Sequence, residues 1–242
     1  MKGPLYRSFF GFQREPFTPE LEIKQILVTQ TLEAFTERFD YVFRLGAIGL
    51  LTGEVGAGKS TALRFAQSRL HPAQYHPLWL TASSGSILET YRQLASALDS
   101  DTQSSSRSSL LPIILAGQNN LLDLLQYRSS LPLASRIVAR SHLEGIDLEQ
   151  MQLYLTHHLA VAGVKAQLLS PQAITAIQQG SAGLLRRANH LARGSLVAAA
   201  NEKSQLVSPE HARTRPTCQY RTRLNQNAEA TSWPRHPHPV PS

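Results

Sequence analysis

Apolar and polar positions divide the chain into an α/β half and an all-helical half. Residues 1–19 carry aromatics without a regular period, which predicts an irregular arm docked on a core. From Leu21 to about Leu45, Leu32, Phe35, Phe39, Val42 and Phe43 recur at helical spacing. That spacing marks a core-facing helix face rather than a platform for stacking bases. Ala47 to Thr52 is a short apolar run of the kind a buried strand makes, and a helix is expected from Thr61 to about Leu70. Leu78 to Ala82 predicts a second strand, and Ser86 to Leu98 a further helix. Leu111 to Ala116 is the next apolar run. A short helix near Asn120–Tyr127, with Asp123 on its solvent side, and a strand near Ile137–His142 follow.

From Asp147 the pattern turns all-helical. Asp147 suits an N-cap with Gln150 three residues on, and Ser170-Pro171 suits N-cap and first helical position. Gly183 precedes the last of three amphipathic helices, which together form a small lid. Residues 214–242 hold five prolines and no apolar period, the composition of a disordered tail. The shift there is abrupt, as in a frameshifted end or a fusion. The boundaries are therefore an N-terminal arm and helix over 1–46, an α/β core over 47–145, a helical lid over 146–212, and a tail over 213–242.

The chemistry is concentrated in Gly53-Glu54-Val55-Gly56-Ala57-Gly58-Lys59-Ser60, with Thr61 next. The stretch fits G-x-x-x-x-G-K-[ST] and stands between a predicted strand and a predicted helix, the context that motif requires. Gly53, Gly56 and Gly58 allow backbone conformations closed to residues with a Cβ, so successive N–H groups turn inward to cradle phosphate oxygens. The helix beginning there adds its positive dipole end. Lys59 would neutralise the β- and γ-phosphates of ATP, and the Ser60 hydroxyl would hold Mg²⁺.

A hydrolase of this type also needs a carboxylate at the end of a neighbouring apolar strand, to hold the metal and polarise water. No run of four apolar residues after the loop leads into Asp or Glu. Between the helix ending near Leu98 and the strand starting near Leu110 there is only a Ser-rich stretch, Asp99 to Ser109. A helix-plus-strand unit would occupy about 30 residues or more, and the pattern implies that one is missing near 99–110.

Several segments in order resemble the AAA+ ATPases of the ExeA/GspA type, most closely the transposition-helper branch. Phe10-Gly11-Phe12 with Pro16-Phe17 is similar to the family's opening, and Leu51 to Ser60 to its phosphate loop. Ile114 to Gln118 is similar to its sensor-1 strand, and Ala134-Ser135-Arg136-Ile137 to the segment bearing its trans-acting arginine. Gly183 to Asn189 is similar to its sensor-2 helix. The resemblance covers about residues 5–212 and implies a parallel P-loop sheet of AAA+ type, here lacking one strand, followed by the lid. The family's Asp-Glu strand is what this chain lacks, so whether it is an enzyme stays open.

The resemblance further implies that Gln118 orients the attacking water, with Asn119 in reserve; otherwise Gln118 is a polar strand end capping the next helix. Arg136 is either a residue reaching a neighbouring copy's γ-phosphate or a solvated arginine. Arg186 would contact nucleotide from the lid, while Arg187, about 100° around the helix, is left for a phosphate backbone or a partner. Transposase, DNA and further copies of the chain are the partners implied. The alternatives are a secretion-pathway ATPase and a non-functional remnant.

Composition changes this picture little. The net charge is +7, but five arginines and one glutamate in residues 213–242 supply +4 of it, so charge alone does not establish DNA binding. The single Cys218 excludes an internal disulfide framework. No apolar run is long enough to span a membrane and no signal peptide is evident, so a cytoplasmic protein is expected. His157 and His158 are neighbours rather than an i, i+4 pair, and no metal site is expected there.

Overall fold

A computed structural model describes residues 5–19, 21–80, 92, 93, 96 and 112–213. The Ser-rich stretch, most of the predicted Ser86–Leu98 helix and the predicted tail beyond Arg213 lie outside these residues.

The chain starts with α1 (Leu5–Phe10) and, after a 3₁₀ turn at Ile23–Gln25, enters α2 (Gln30–Leu45). The Thr29 side chain caps α2 by accepting from the Leu32 amide at 3.3 Å. Gly46, at φ 59°, ends it in the left-handed cap that favours glycine. Leu32, Phe35, Thr36, Phe39 and Val42 are its buried residues, the stripe the sequence spacing predicts. The expected helix from Leu21 thus begins nine residues late, because residues 21–29 are extended or 3₁₀.

Next come β1 (Ile48–Gly53) and α3 (Lys59–Gln67). The chain continues with β2 (Ile113–Ala116), α4 (Asn120–Leu124), α5 (Leu131–Ala134) and β3 (Ile137–Leu143). The three strands form a parallel sheet in the order β2-β1-β3. β1 is buried on both faces, as a central parallel strand should be. β2 has no second neighbour among the described residues, and Ile113 on it is 38% exposed. The second strand expected at Leu78–Ala82 is not found where it can be checked: Leu78–Leu80 are irregular, and Trp79 donates to Gln67 at 2.8 Å.

The helical half comprises α6 (Leu148–Val161), α7 (Pro171–Ser181), α8 (Leu185–Asn201) and a short α9 (Pro209–Arg213). Asp147 caps α6 by accepting from the Gln150 amide at 2.8 Å. Ser170 caps α7 through the Ala173 amide at 3.2 Å. Both caps are those read from the sequence, while α9 was not expected.

Apolar residues collect in two cores. One joins α2, β1 and α3 through Phe35, Phe39, Leu51, Ala62 and Ala66, with Leu143 and Leu184. The other belongs to the lid and includes Met151, Leu155, Ile177, Ala188, Ala192 and Leu196. The aromatic arm docks on this second core: Tyr6, Phe10, Phe12 and Phe17 are buried there. Arm and lid thus form one packed unit, and residues 18–29 carry the chain from it to the α/β unit.

Candidate nucleotide site

The carboxyl ends of the parallel strands, the loop after β1 and the inner face of the lid enclose a cleft of about 1210 Å³. Ligands of open α/β sheets bind at strand carboxyl ends, and the volume is ample for a nucleotide.

At one end the loop 53–58 wraps the start of α3. Gly56 and Gly58 have φ values of 92° and 98°, where a side chain would strain the backbone. Gly58 is the N-cap of α3, so Lys59, Ser60 and Thr61 occupy its first turn. Val55 through Thr61 all line the cleft. Lys59 Nζ donates to the carbonyls of Gly53 at 2.7 Å and Glu54 at 2.9 Å. Burial lowers the Lys59 pKa; Glu54 opposes the shift and Arg186 adds to it. An anion in the loop would favour the charged form of Lys59 and so oppose that shift.

The strand ends supply polar groups. Gln118 follows β2 and lines the cleft. Asn119 reaches back to the loop, its Nδ2 donating to Glu54 Oε1 at 3.0 Å. Its side chain makes no cap on α4, so the amide is used on the phosphate loop instead. From β3, His142 Nδ1 lies 2.9 Å from Thr52 Oγ1 and also faces the cleft. Glu144, directly after β3, is exposed and lines it too. Gly53 at the end of β1 is paired with Leu143 at the end of β3, which brings Glu144 beside the loop. Glu144 does not stand out in the sequence because Arg140, Ser141 and His142 interrupt the apolar run before it; its signal is position at a strand end, not composition.

The lid meets the loop through α8. The Arg186 amide donates to the Gly56 carbonyl at 3.2 Å, and Leu185 packs toward Gly58. Arg186 lines the cleft and its neighbour Arg187 does not, as helical geometry requires. Arg136 does not line this cleft: it is exposed just after α5, its Nη1 donating to the Pro132 carbonyl at 2.6 Å. Within one copy it cannot act on a phosphate here.

The other end of the cleft is aromatic. Phe17, at φ 57° and 1% exposed, stacks on His158 with ring centroids 5.6 Å apart. Arg193 fixes that turn by donating to the Phe17 carbonyl at 2.9 Å and pairing with Glu15 at 3.5 Å. Glu15 also accepts from the Tyr6 hydroxyl. Burial, with His157 adjacent, pushes the His158 pKa down to about 4, so the ring is neutral. Tyr154 packs on His158 at 4.4 Å and donates to Asn189 Oδ1 at 2.9 Å.

Three kinds of similarity bear on this geometry. The AAA domain family model matches residues 44–111, which take in the loop. The chain is 23% identical to general secretion pathway protein A of Aeromonas hydrophila, over 81% of this chain and 45% of that protein. It therefore spans under half the length of this curated relative. Among solved structures, the Aeropyrum pernix ORC1 protein in complex with DNA aligns with a TM-score of 0.56 at 16% identity, covering 87% of this chain and 68% of that one. The Aeropyrum pernix ORC2 protein, solved as ADPNP and ADP complexes, gives 0.52 at 16% identity over 88% and 71%. The architecture is that of the AAA+ P-loop proteins. Among the described residues it takes the form of a three-stranded parallel sheet with a phosphate loop, closed over by a helical lid.

Proposed function

We propose that this chain binds ATP with Mg²⁺ in the cleft between sheet and lid, and that it turns the nucleotide over slowly or not at all. The observation that carries binding is the assembled loop: three positive-φ glycines, Lys59 drawn onto the loop carbonyls, and Arg186 closing from the lid. Gly53 to Thr61 would hold the phosphates, Ser60 would hold the metal, and the aromatic end would receive the base. A bound magnesium ion would neutralise phosphate charge; this chain's own contribution is to position the phosphates and exclude water.

Impaired hydrolysis is proposed because, of the two strands paired with β1, β2 leads into Gly117-Gln118-Asn119 rather than a carboxylate, and the carboxylate after β3, Glu144, follows no continuous apolar run. One further observation favours a lost strand in this reading. The match to the secretion protein runs over 250 residues yet takes in 81% of a 242-residue chain, so this chain is the shorter one inside the matched region. In this reading Gln118 contacts the γ-phosphate, Arg186 reports nucleotide to the lid, and Arg136 acts only across copies.

The partner proposed is DNA together with a transposase, from the sequence resemblance. A secretion-linked role is the second reading, favoured by the match to general secretion pathway protein A. Titrating the chain with duplex DNA at 50 and 200 mM salt separates them. Affinity that falls steeply with salt supports the DNA reading. Absence of DNA binding at 50 mM salt favours the secretion reading.

A further inference from the structure

We propose that Asn189, held in place by Tyr154, reads the base in this cleft and selects adenine over guanine. This rests on the reading of the cleft as a nucleotide site. Both residues line it, Tyr154 from α6 and Asn189 from α8. Asn189 lies three residues beyond Arg186, whose amide is tied to the phosphate loop, and so sits on the same helix face about one turn further from it. Phosphates held at Gly56 leave the sugar and base to run along this face toward Phe17 and His158.

The orientation of the amide decides what it can read. The Tyr154 hydroxyl donates to Asn189 Oδ1 at 2.9 Å, which points Nδ2 the other way. Burial pushes the Tyr154 pKa up to about 12, so the phenol keeps its proton and remains a donor at neutral pH. Oδ1 retains a second lone pair, and Nδ2 has no hydrogen-bond partner among the described residues. The amide therefore offers an acceptor beside a donor. Adenine presents the complementary edge, an N6 amino donor beside a ring-nitrogen acceptor; guanine presents two acceptors, O6 and N7. Guanine would set its O6 against Oδ1. With the amide free to flip, Nδ2 could donate to guanine O6 and weaken the discrimination, so the Tyr154 contact is a positioning contact.

The test is competition of ATP, GTP and inorganic tripolyphosphate against a fluorescent ATP analogue on the full chain, with Asn189→Ala and Tyr154→Phe. The unaltered chain should prefer ATP to GTP by about tenfold or more, the discrimination one well-placed amide supplies. Asn189→Ala should bring the two within about threefold while tripolyphosphate affinity is unchanged. Tyr154→Phe removes only a hydroxyl, and should narrow the preference by raising GTP affinity. A preference that survives in both variants overturns the assignment and leaves the nucleotide site intact. Failure of the unaltered chain to bind ATP or tripolyphosphate overturns the site and the assignment together.

Discussion

The Cβ of Arg186 occupies the space that a side chain at Gly56 would need: a Cβ built on Gly56 would stand 2.7 Å from it. The same pair is joined by the 3.2 Å hydrogen bond from the Arg186 amide to the Gly56 carbonyl. The first turn of the lid helix α8 is therefore seated on the phosphate loop itself, and loop and lid cannot shift independently.

Gly56→Ala follows directly. The new methyl group meets backbone-anchored atoms, and alanine is also strained at φ 92°. ATP affinity should fall about tenfold or more, and lid protection in hydrogen exchange should fall with it at residues 184–190. Unchanged exchange in α8 would show that the contact does not hold the lid.

His158 gives the fold an acid limit. Its pKa is about 4 in the folded chain against an ordinary value of 6.5, so below pH 6.5 the unfolded chain binds the proton more readily. Stability from this group is complete above pH 6.5 and is lost as pH falls toward 4, by roughly 3 kcal/mol in all. Thermal melts between pH 7 and 4.5 should show the loss, and His158→Phe should flatten it. An equally steep pH dependence in that variant would move the cause elsewhere.

Glu144 is the carboxylate that β3 carries to the side of the loop. It is exposed and holds no partner on the phosphate loop, whereas the Glu54 carboxylate is held by Asn119. Glu144→Gln should leave ATP affinity within about twofold and leave turnover at its already low level. A magnesium-dependent turnover that disappears in Glu144→Gln would make this residue the missing acid and end the case for impairment.

What the sequence discloses and what it conceals divide along physical lines. The loop was legible because each of Gly56, Gly58, Lys59 and Ser60 has a local reason for its identity. The caps Asp147 and Ser170 were legible for the same cause, since a cap bonds three residues away. Leu78–Leu80 misled because an apolar run marks a strand only when another strand pairs with it. Phe10 and Phe17 were rightly placed in a core, but which core depended on contacts more than a hundred residues distant, with Met151 and Leu196 among them. The pairs Asn119–Glu54 and Tyr154–Asn189 are likewise products of the fold, formed across 65 and 35 residues.

The central claim is a folded ATP site with little catalysis, and one sample measured twice tests it most directly. Equilibrium binding of a fluorescent ATP analogue with Mg²⁺ should be saturable and should be abolished by Lys59→Ala, with phosphate release from that sample far below about 1 s⁻¹, the low end of ordinary turnover. No saturable binding would contradict the site; turnover of about 1 s⁻¹ or faster that Lys59→Ala removes would contradict the impairment.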